Sequence, residues 1–211
     1  MEGALARWYA GLTKKSMTDF TALAHRVAGE ISPGSSVLEV APGPGYFAIE
    51  LARLGDCRVT GLDISQTFVE IARENAARAN AAATFERGNA SRMPFGGDRF
   101  DYVVCRAAFK NFTEPVAALR EMYRVLKPGG RALIIDMRGD ASPDSMKQAA
   151  KGLKTGRVNR TFVYLTFRFM LVRRAYTRAE FERMIGQTGF RQLEIRESLI
   201  GLEILLGKGQ G

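Results

Sequence analysis

The sequence of 211 residues is poor in the residues that build metal sites and disulfide frameworks. It has two cysteines, Cys57 and Cys105, and one histidine, His25. Neither cysteine belongs to a CxxC pair or to a cysteine–histidine cluster. That argues against a zinc site and a disulfide scaffold, and it points to a reducing, cytoplasmic setting. Long apolar runs are also missing. The longest apolar-rich stretch, Phe162–Val172, is too short to span a bilayer and contains Arg168. The opening "MEGALARWYAG" lacks the basic segment and apolar core of a secretion signal. Acids are absent from one long segment. Between Ser145 and Ala179 stand Lys147, Lys151, Lys154, Arg157, Arg160, Arg168, Arg173, Arg174 and Arg178, with no Asp or Glu among them. Taking these nine from the 31 basic residues leaves 22, which balance the 22 acidic ones, so the whole net charge of +9 lies there. A patch so local implies a local anionic partner, whether a substrate group, a membrane surface or nucleic acid; the plain alternative is a solvated face.

What is present suits one globular domain spanning 1–211, at 46% hydrophobic and 25% charged residues. Two apolar patterns alternate. Val37–Ala41, Arg58–Leu62, Thr84–Arg87, Phe100–Cys105 and Arg131–Asp136 are short and rich in β-branched or aromatic residues, and they read as strands. Between them, Phe47–Leu54, Gln66–Ala79 and Pro115–Leu126 read as helices, with Ser65 as an N-cap and Pro115 in a first turn. This alternation implies a parallel sheet with right-handed crossovers. Ser16–Glu30 adds an amphipathic helix, and 1–32 is expected to form an N-terminal helical lid. The alternation breaks at 139–176, a basic and aromatic insert after the fifth strand. A helix over Arg178–Thr188 follows, capped by Thr177 and ended by Gly189. Then "FRQLEIRES" and "LIGLEILLG" run on with almost no connection, which requires an antiparallel hairpin.

The chemistry centres on "VLEVAPGPGY", Val37–Tyr46. Gly43 and Gly45 stand where a strand turns into a helix, the place where backbone must come close to a ligand. The helix N-terminus behind them offers free amides and a positive dipole end. Asp63 follows at the end of the second strand, where a carboxylate accepts ribose hydroxyls. So far a dinucleotide is equally served, since "GPGYFA" fits GxGxxA and a dehydrogenase stays open. Glu39, inside the first strand, tips the balance: a buried acid is costly unless an ammonium-bearing ligand or the loop amides use it. "GNASRMPF" after the third strand and "REMYRVLKPGGRALIID" leading into the fifth add to it.

In this order, from about Val37 to Leu206, the motifs resemble the class I S-adenosylmethionine-dependent methyltransferases, with "RVLKPGG" after "FDYVV" the more specific marker. The resemblance implies an α/β, Rossmann-like, seven-stranded sheet with an antiparallel terminal strand. It implies that S-adenosylmethionine is the cofactor and S-adenosylhomocysteine the product. Glu39, Ala41, Gly43 and Gly45 would surround the methionine part, with Arg106 near the same end. Asp63 would hold the ribose, Ile64 would pack on adenine, and Asn89 and Ala90 would meet the adenine amino group. The sequence departs from the family at Ala41–Pro42, where Gly-Cys or Gly-Thr is common, and at Asn89, where Asp is usual.

"RAAFKNFTEPVAALREMYRVLKPGG" is similar to the branch that methylates ubiquinone and menaquinone precursors. The resemblance therefore implies a small acceptor, apolar or amphipathic, with room for an anionic group. Tyr9, Lys110, Tyr164 and Arg168 are candidate acceptor residues, and His25 is the candidate general base, although methyl transfer from a sulfonium does not require one. The basic insert, with Phe162, Tyr164, Phe167, Phe169 and Tyr176, could line an acceptor pocket or rest on an anionic membrane. RNA methylation and a non-catalytic cofactor-binding module remain alternatives. Against RNA, "CRAAF" stands where base-amine methyltransferases carry an "NPPY"-type motif. Oligomeric state is not legible.

Overall fold

A computed structural model describes residues 2–3, 6–7, 10–11, 17–152 and 172–210. The described elements run α1 (Met17–Ala28), β1 (Ser35–Val40), α2 (Tyr46–Arg53), β2 (Cys57–Asp63), α3 (Gln66–Arg78), β3 (Ala83–Arg87), β4 (Phe100–Arg106), α4 (Pro115–Val125), β5 (Leu126–Met137), α5 (Pro143–Gly152), α6 (Arg178–Ile185), β6 (Gln192–Glu197) and β7 (Gly201–Gly207). The seven strands form one sheet in the order β3-β2-β1-β4-β5-β7-β6. Strands β1 to β5 are parallel, and β7 enters antiparallel between β5 and β6. The α/β class, the seven strands and the antiparallel terminal strand are those expected.

Both faces of the sheet are covered, which explains why its central strands read as almost unbroken apolar runs. One core gathers Leu38, Val103, Cys105 and Ile134 under α4 and α6 residues such as Leu119, Met122 and Phe181. The other gathers Val37, Val59, Tyr102 and Val104 under Leu23, Val27, Phe47, Leu51, Val69 and Ala72 of α1 to α3. Helix starts follow their caps. Phe68 N donates to Ser65 Oγ at 3.1 Å, Pro115 opens α4, and Thr177 and Glu180 form a reciprocal capping box on α6.

Two boundaries differ from the sequence reading by more than two residues. Strand β5 starts at Leu126, not Arg131, because Leu126 still pairs with Phe100 before a register shift. Helix α6 ends at Ile185, not Thr188, and its last turn tightens through Gln187 N to Met184 O and Thr188 N to Ile185 O. Gly189 is needed for a packing reason: a Cβ there would stand 2.5 Å from the Tyr123 ring. Within 139–176, α5 carries Met146 and Ala150 inward and Lys147 and Lys151 outward.

Candidate functional site

In the order β3-β2-β1-β4-β5 the direction in which successive strands are added across the sheet reverses between β1 and β4. Crevices at the carboxyl ends of strands around such a reversal are where open α/β sheets bind ligands. Here the turn from β1 into α2 occupies that place. Ala41, Gly43 and Gly45 all have positive φ, at 56°, 54° and 79°. Glycine relieves two of these positions; Ala41 is held in the left-handed region by Ala41 N donating to Leu62 O at 2.8 Å. Gly45 must be glycine for a second reason. A Cβ there would lie 2.8 Å from the Phe85 ring and 2.9 Å from the Ala72 methyl. At Gly43 a Cβ would meet nothing within 4 Å, so this part of the loop faces open space.

Neighbouring side chains lock the loop. Gly43 N donates to Asp63 Oδ2 at 3.0 Å, and Ser65 N donates to Asp63 Oδ1 at 2.9 Å. Asn75 Nδ2 donates to Pro44 O at 3.0 Å. Asn75 was missed in the sequence; its only signal is an amide on the helix face that otherwise carries Phe68, Ala72 and Ala76. Asp63 is buried, and desolvation raises its pKa against the two amide bonds that lower it. Beside it Ile64 is 62% exposed, an apolar side chain presented to solvent at the rim of the crevice.

Glu39 is 4% exposed. Ala48 N, in the first turn of α2, donates to its Oε2 at 3.1 Å. Desolvation pushes the carboxyl up to about 8; the Ala48 amide and the Arg106 cation pull the other way, and Asp63 adds to the rise. Arg106 extends over the Phe20 ring, 4.4 Å from its centroid. It borders a cleft of about 310 Å³ with Asp19, Leu23, Arg26, Ile135 and Glu203, across which Arg26 and Glu203 pair at 2.7 Å. On the far side, exposed Asn89 accepts from Ser91 N at 2.9 Å, while Ala90 packs partly against the core.

The N-terminal segment reaches this region too. Glu2 accepts from Gln66 N and Thr67 N at 3.1 Å each, and Tyr46 Oη donates to Ala10 O at 3.0 Å.

Other expected residues lie elsewhere. His25 is exposed on the last turn of α1 beside Arg53 and Leu54, where α2 ends. Helix α2 starts at the glycine loop, so its eight residues set His25 roughly 12 Å from it. His25 therefore lies at the end of α2 opposite the glycine loop. Lys110 is corrected as an acceptor residue, because its side chain is 5% exposed and ion-paired with Asp136 at 2.7 Å. Tyr9, Tyr164 and Arg168 lie outside the described residues, as do Phe162, Phe167 and Phe169. Tyr176 packs against Phe109 and Phe181. Among the described residues, no cluster of His, Cys, Asp and Glu could hold a metal, and no helix is long and apolar enough to cross a membrane.

The methyltransferase domain family matches residues 37–130, which run from β1 through the glycine loop, Asp63 and α4 to the start of β5. Over these residues the chain is similar to methyltransferase domains. The demethylmenaquinone methyltransferase of Deinococcus radiodurans is 39% identical over 107 residues, which are 50% of this chain and 44% of that protein. That of Listeria monocytogenes is 38% identical over 109 residues, 50% of this chain and 46% of the other. The chain spans about half the length of the curated relatives it matches. Among solved structures, a SAM-dependent methyltransferase from Aquifex aeolicus superposes with a TM-score of 0.67 at 18% identity, covering 87% of this chain and 88% of that one. The [4+2]-cyclase SpnF superposes at 0.70 with 19% identity, covering 90% and 81%. These structural likenesses establish the methyltransferase-domain fold, and the cyclase shows that the same fold hosts other reactions.

Proposed function

We propose that this chain binds S-adenosylmethionine in the crevice between β1, β2 and β4 and transfers its methyl group to a small apolar or amphipathic acceptor, S-adenosylhomocysteine being the product. The observation that carries the reading is the loop Ala41–Gly45, held open at Gly43 and tied to Asp63. The donor set suits the cofactor. Asp63 has acceptor capacity beyond its two amides for ribose hydroxyls, and Ile64 offers an exposed apolar side chain for adenine to pack on. Glu39 is a buried acid raised by desolvation, the complement of an amino-acid ammonium. The Asn89–Ala90 loop is left for the adenine edge.

Bound there, the cofactor supplies a methyl group already activated on a sulfonium. The task left to the chain is alignment and exclusion of water. The cleft beside Arg106 is the place we assign to the acceptor, with Leu23 and Ile135 as apolar walls and Arg106 as a cation for an anionic substituent. The resemblance to quinone-precursor methyltransferases supports an aromatic acceptor of that kind. We place no side chain as a general base. The exposed cations Lys147, Lys151, Arg173, Arg174 and Arg178 would bring the domain to an anionic membrane that holds such an acceptor. RNA is the second reading, favoured only by the same cations.

Calorimetry with S-adenosylmethionine, S-adenosylhomocysteine and NAD tests the core of this reading. Binding of the first two and not the third is expected. Binding of NAD alone would overturn it. Turnover on a panel of quinol-like acceptors then tests the acceptor class; cofactor binding with no turnover on any acceptor would leave a non-catalytic binding module.

A further inference from the structure

We propose that Lys110 and Asp136 are positioning residues of the cofactor site, a buried ion pair that pins the turn after β4 and so fixes the direction in which Arg106 leaves the sheet. This rests on the reading of the crevice given above.

The pair closes a small ring between the ends of β4 and β5. The Lys110 and Asp136 side chains are 5% and 2% exposed, and Nζ lies 2.7 Å from Asp136 Oδ1. Lys110 Nζ also donates to Ala107 O at 2.7 Å, so the ammonium tethers the turn three residues back. Asp136 accepts twice more, from Lys110 N at 2.9 Å and Met137 N at 2.7 Å. Ala107, directly after Arg106, takes φ 56° and donates its N–H to Ile135 O at 2.7 Å. A non-glycine residue holds that conformation only where its surroundings dictate it. Here the surroundings are the ring: Ile135 on one side of Ala107 and the Lys110 ammonium on its carbonyl.

A purely structural role explains this poorly. The turn already has an apolar anchor in Phe109, fully buried against Phe112, Tyr176 and Phe181. A buried ion pair seldom stabilises more than a well-packed apolar pair would; its best-attested contribution is one geometry rather than several. The geometry at stake is that of Arg106, which borders the acceptor cleft and acts on Glu39. The Cys105 thiol, between the two, is raised by burial and feels Asp136, Lys110 and Glu39 together, which places the pair within electrostatic reach of the site.

The test replaces both charges at once, Lys110→Met with Asp136→Asn, so that neither is left buried alone and one acceptor remains for the amides. Each single variant should melt below the double. The double should recover most of the wild-type melting temperature yet bind S-adenosylhomocysteine more weakly, on the order of tenfold, the range in which neighbouring groups couple. In an Arg106→Ala background the same double replacement should change affinity little, because the pair acts through Arg106. A restored melting temperature with wild-type affinity overturns the positioning role, and so does an equal loss in the Arg106→Ala background. Should the double fail to fold, Lys110→Arg decides. It keeps the charge but trades a compact ammonium for a planar fork. Weakened binding in that folded variant is expected, and wild-type affinity overturns the proposal. A wild-type chain that binds no S-adenosylhomocysteine overturns the cofactor reading and the positioning role together; binding that the double variant leaves untouched overturns the positioning role alone.

Discussion

Protonation of Glu39 should couple fold stability and cofactor affinity to pH. Its carboxyl titrates at about 8 in the folded chain against 4.5 when unfolded, chiefly through desolvation. The folded state therefore holds a proton that the unfolded state has released. The stability this contributes is fully present below 4.5, falls as pH rises, and is gone above about 8. At about 1.4 kcal/mol per pH unit the loss is on the order of 5 kcal/mol across the interval. Asp63 is raised as well and adds a slope of the same sign, so the wild-type curve alone does not isolate Glu39. Glu39→Gln does. Glutamine keeps an acceptor for Ala48 N and cannot titrate, so the difference between the two melting curves from pH 5 to 9 belongs to Glu39.

A ligand ammonium beside Glu39 favours the carboxylate. Binding below pH 8 should then release a proton, and affinity should tighten by up to about tenfold per pH unit until the free-state pKa is passed. Calorimetry of S-adenosylhomocysteine near neutral pH, in two buffers of different ionisation enthalpy, reads the proton directly. Heat that does not depend on buffer, or a pH slope in affinity that Glu39→Gln retains, would refute the reasoning.

The two loop glycines should separate fold from function. Gly43→Ala has open space around its Cβ and should cost only about 1 to 2 kcal/mol for its left-handed backbone, yet weaken cofactor binding, read by melting and calorimetry together. Gly45→Val adds a collision with Phe85 and Ala72 to the same strain and should destabilise the fold itself by about 3 kcal/mol or more, so it is no clean probe of binding. Ile64→Ala, at an exposed position, should leave stability within about 0.5 kcal/mol and lower S-adenosylhomocysteine affinity; unchanged affinity would remove adenine from that side chain. Replacing Lys147, Lys151, Arg173 and Arg174 with Glu should abolish flotation with vesicles containing anionic lipid, since each cation near such a surface contributes about 1 kcal/mol. RNA binding with a steep salt slope, lost in the same variant, would favour nucleic acid instead.

Strands and helices of the core were legible because each carries a period and a punctuation mark. Ser65, Pro115 and Thr177 announce helix starts, and the missing linker between the last two strands announces a hairpin. The glycine loop and Asp63 were legible for the same reason: they stand at fixed offsets from strand ends. Assignments resting on residue type alone carry no such offset. His25 and Lys110 are chemically able, but a sequence does not say which end of a helix faces the crevice or whether an ammonium is already paired. Asn75 was invisible because its partner, Pro44 O, is a backbone atom brought near only by the fold. Asp136 was hidden in a strand pattern that gives no hint of a lysine on the preceding turn.

Asp63 organises the glycine loop through both of its oxygens. Its two oxygens already hold the amides of Gly43 and Ser65, and a carboxylate has lone pairs to spare for hydroxyls. A ribose would then join this network rather than displace it. Binding should cost little ordering of the loop, in contrast to a loop that folds around its ligand. Hydrogen exchange tests the distinction. The Gly43 and Ser65 amides should be protected in the free protein, at rates close to those of β1, and S-adenosylhomocysteine should slow them only by the added stability that binding gives to the folded state. Asp63→Asn leaves one acceptor for two amides; one of the two should lose protection, at a cost of about 1 to 3 kcal/mol. A Gly43 amide that exchanges freely until ligand is added would mean that the cofactor assembles the loop, and that Asp63 binds ribose or backbone but not both.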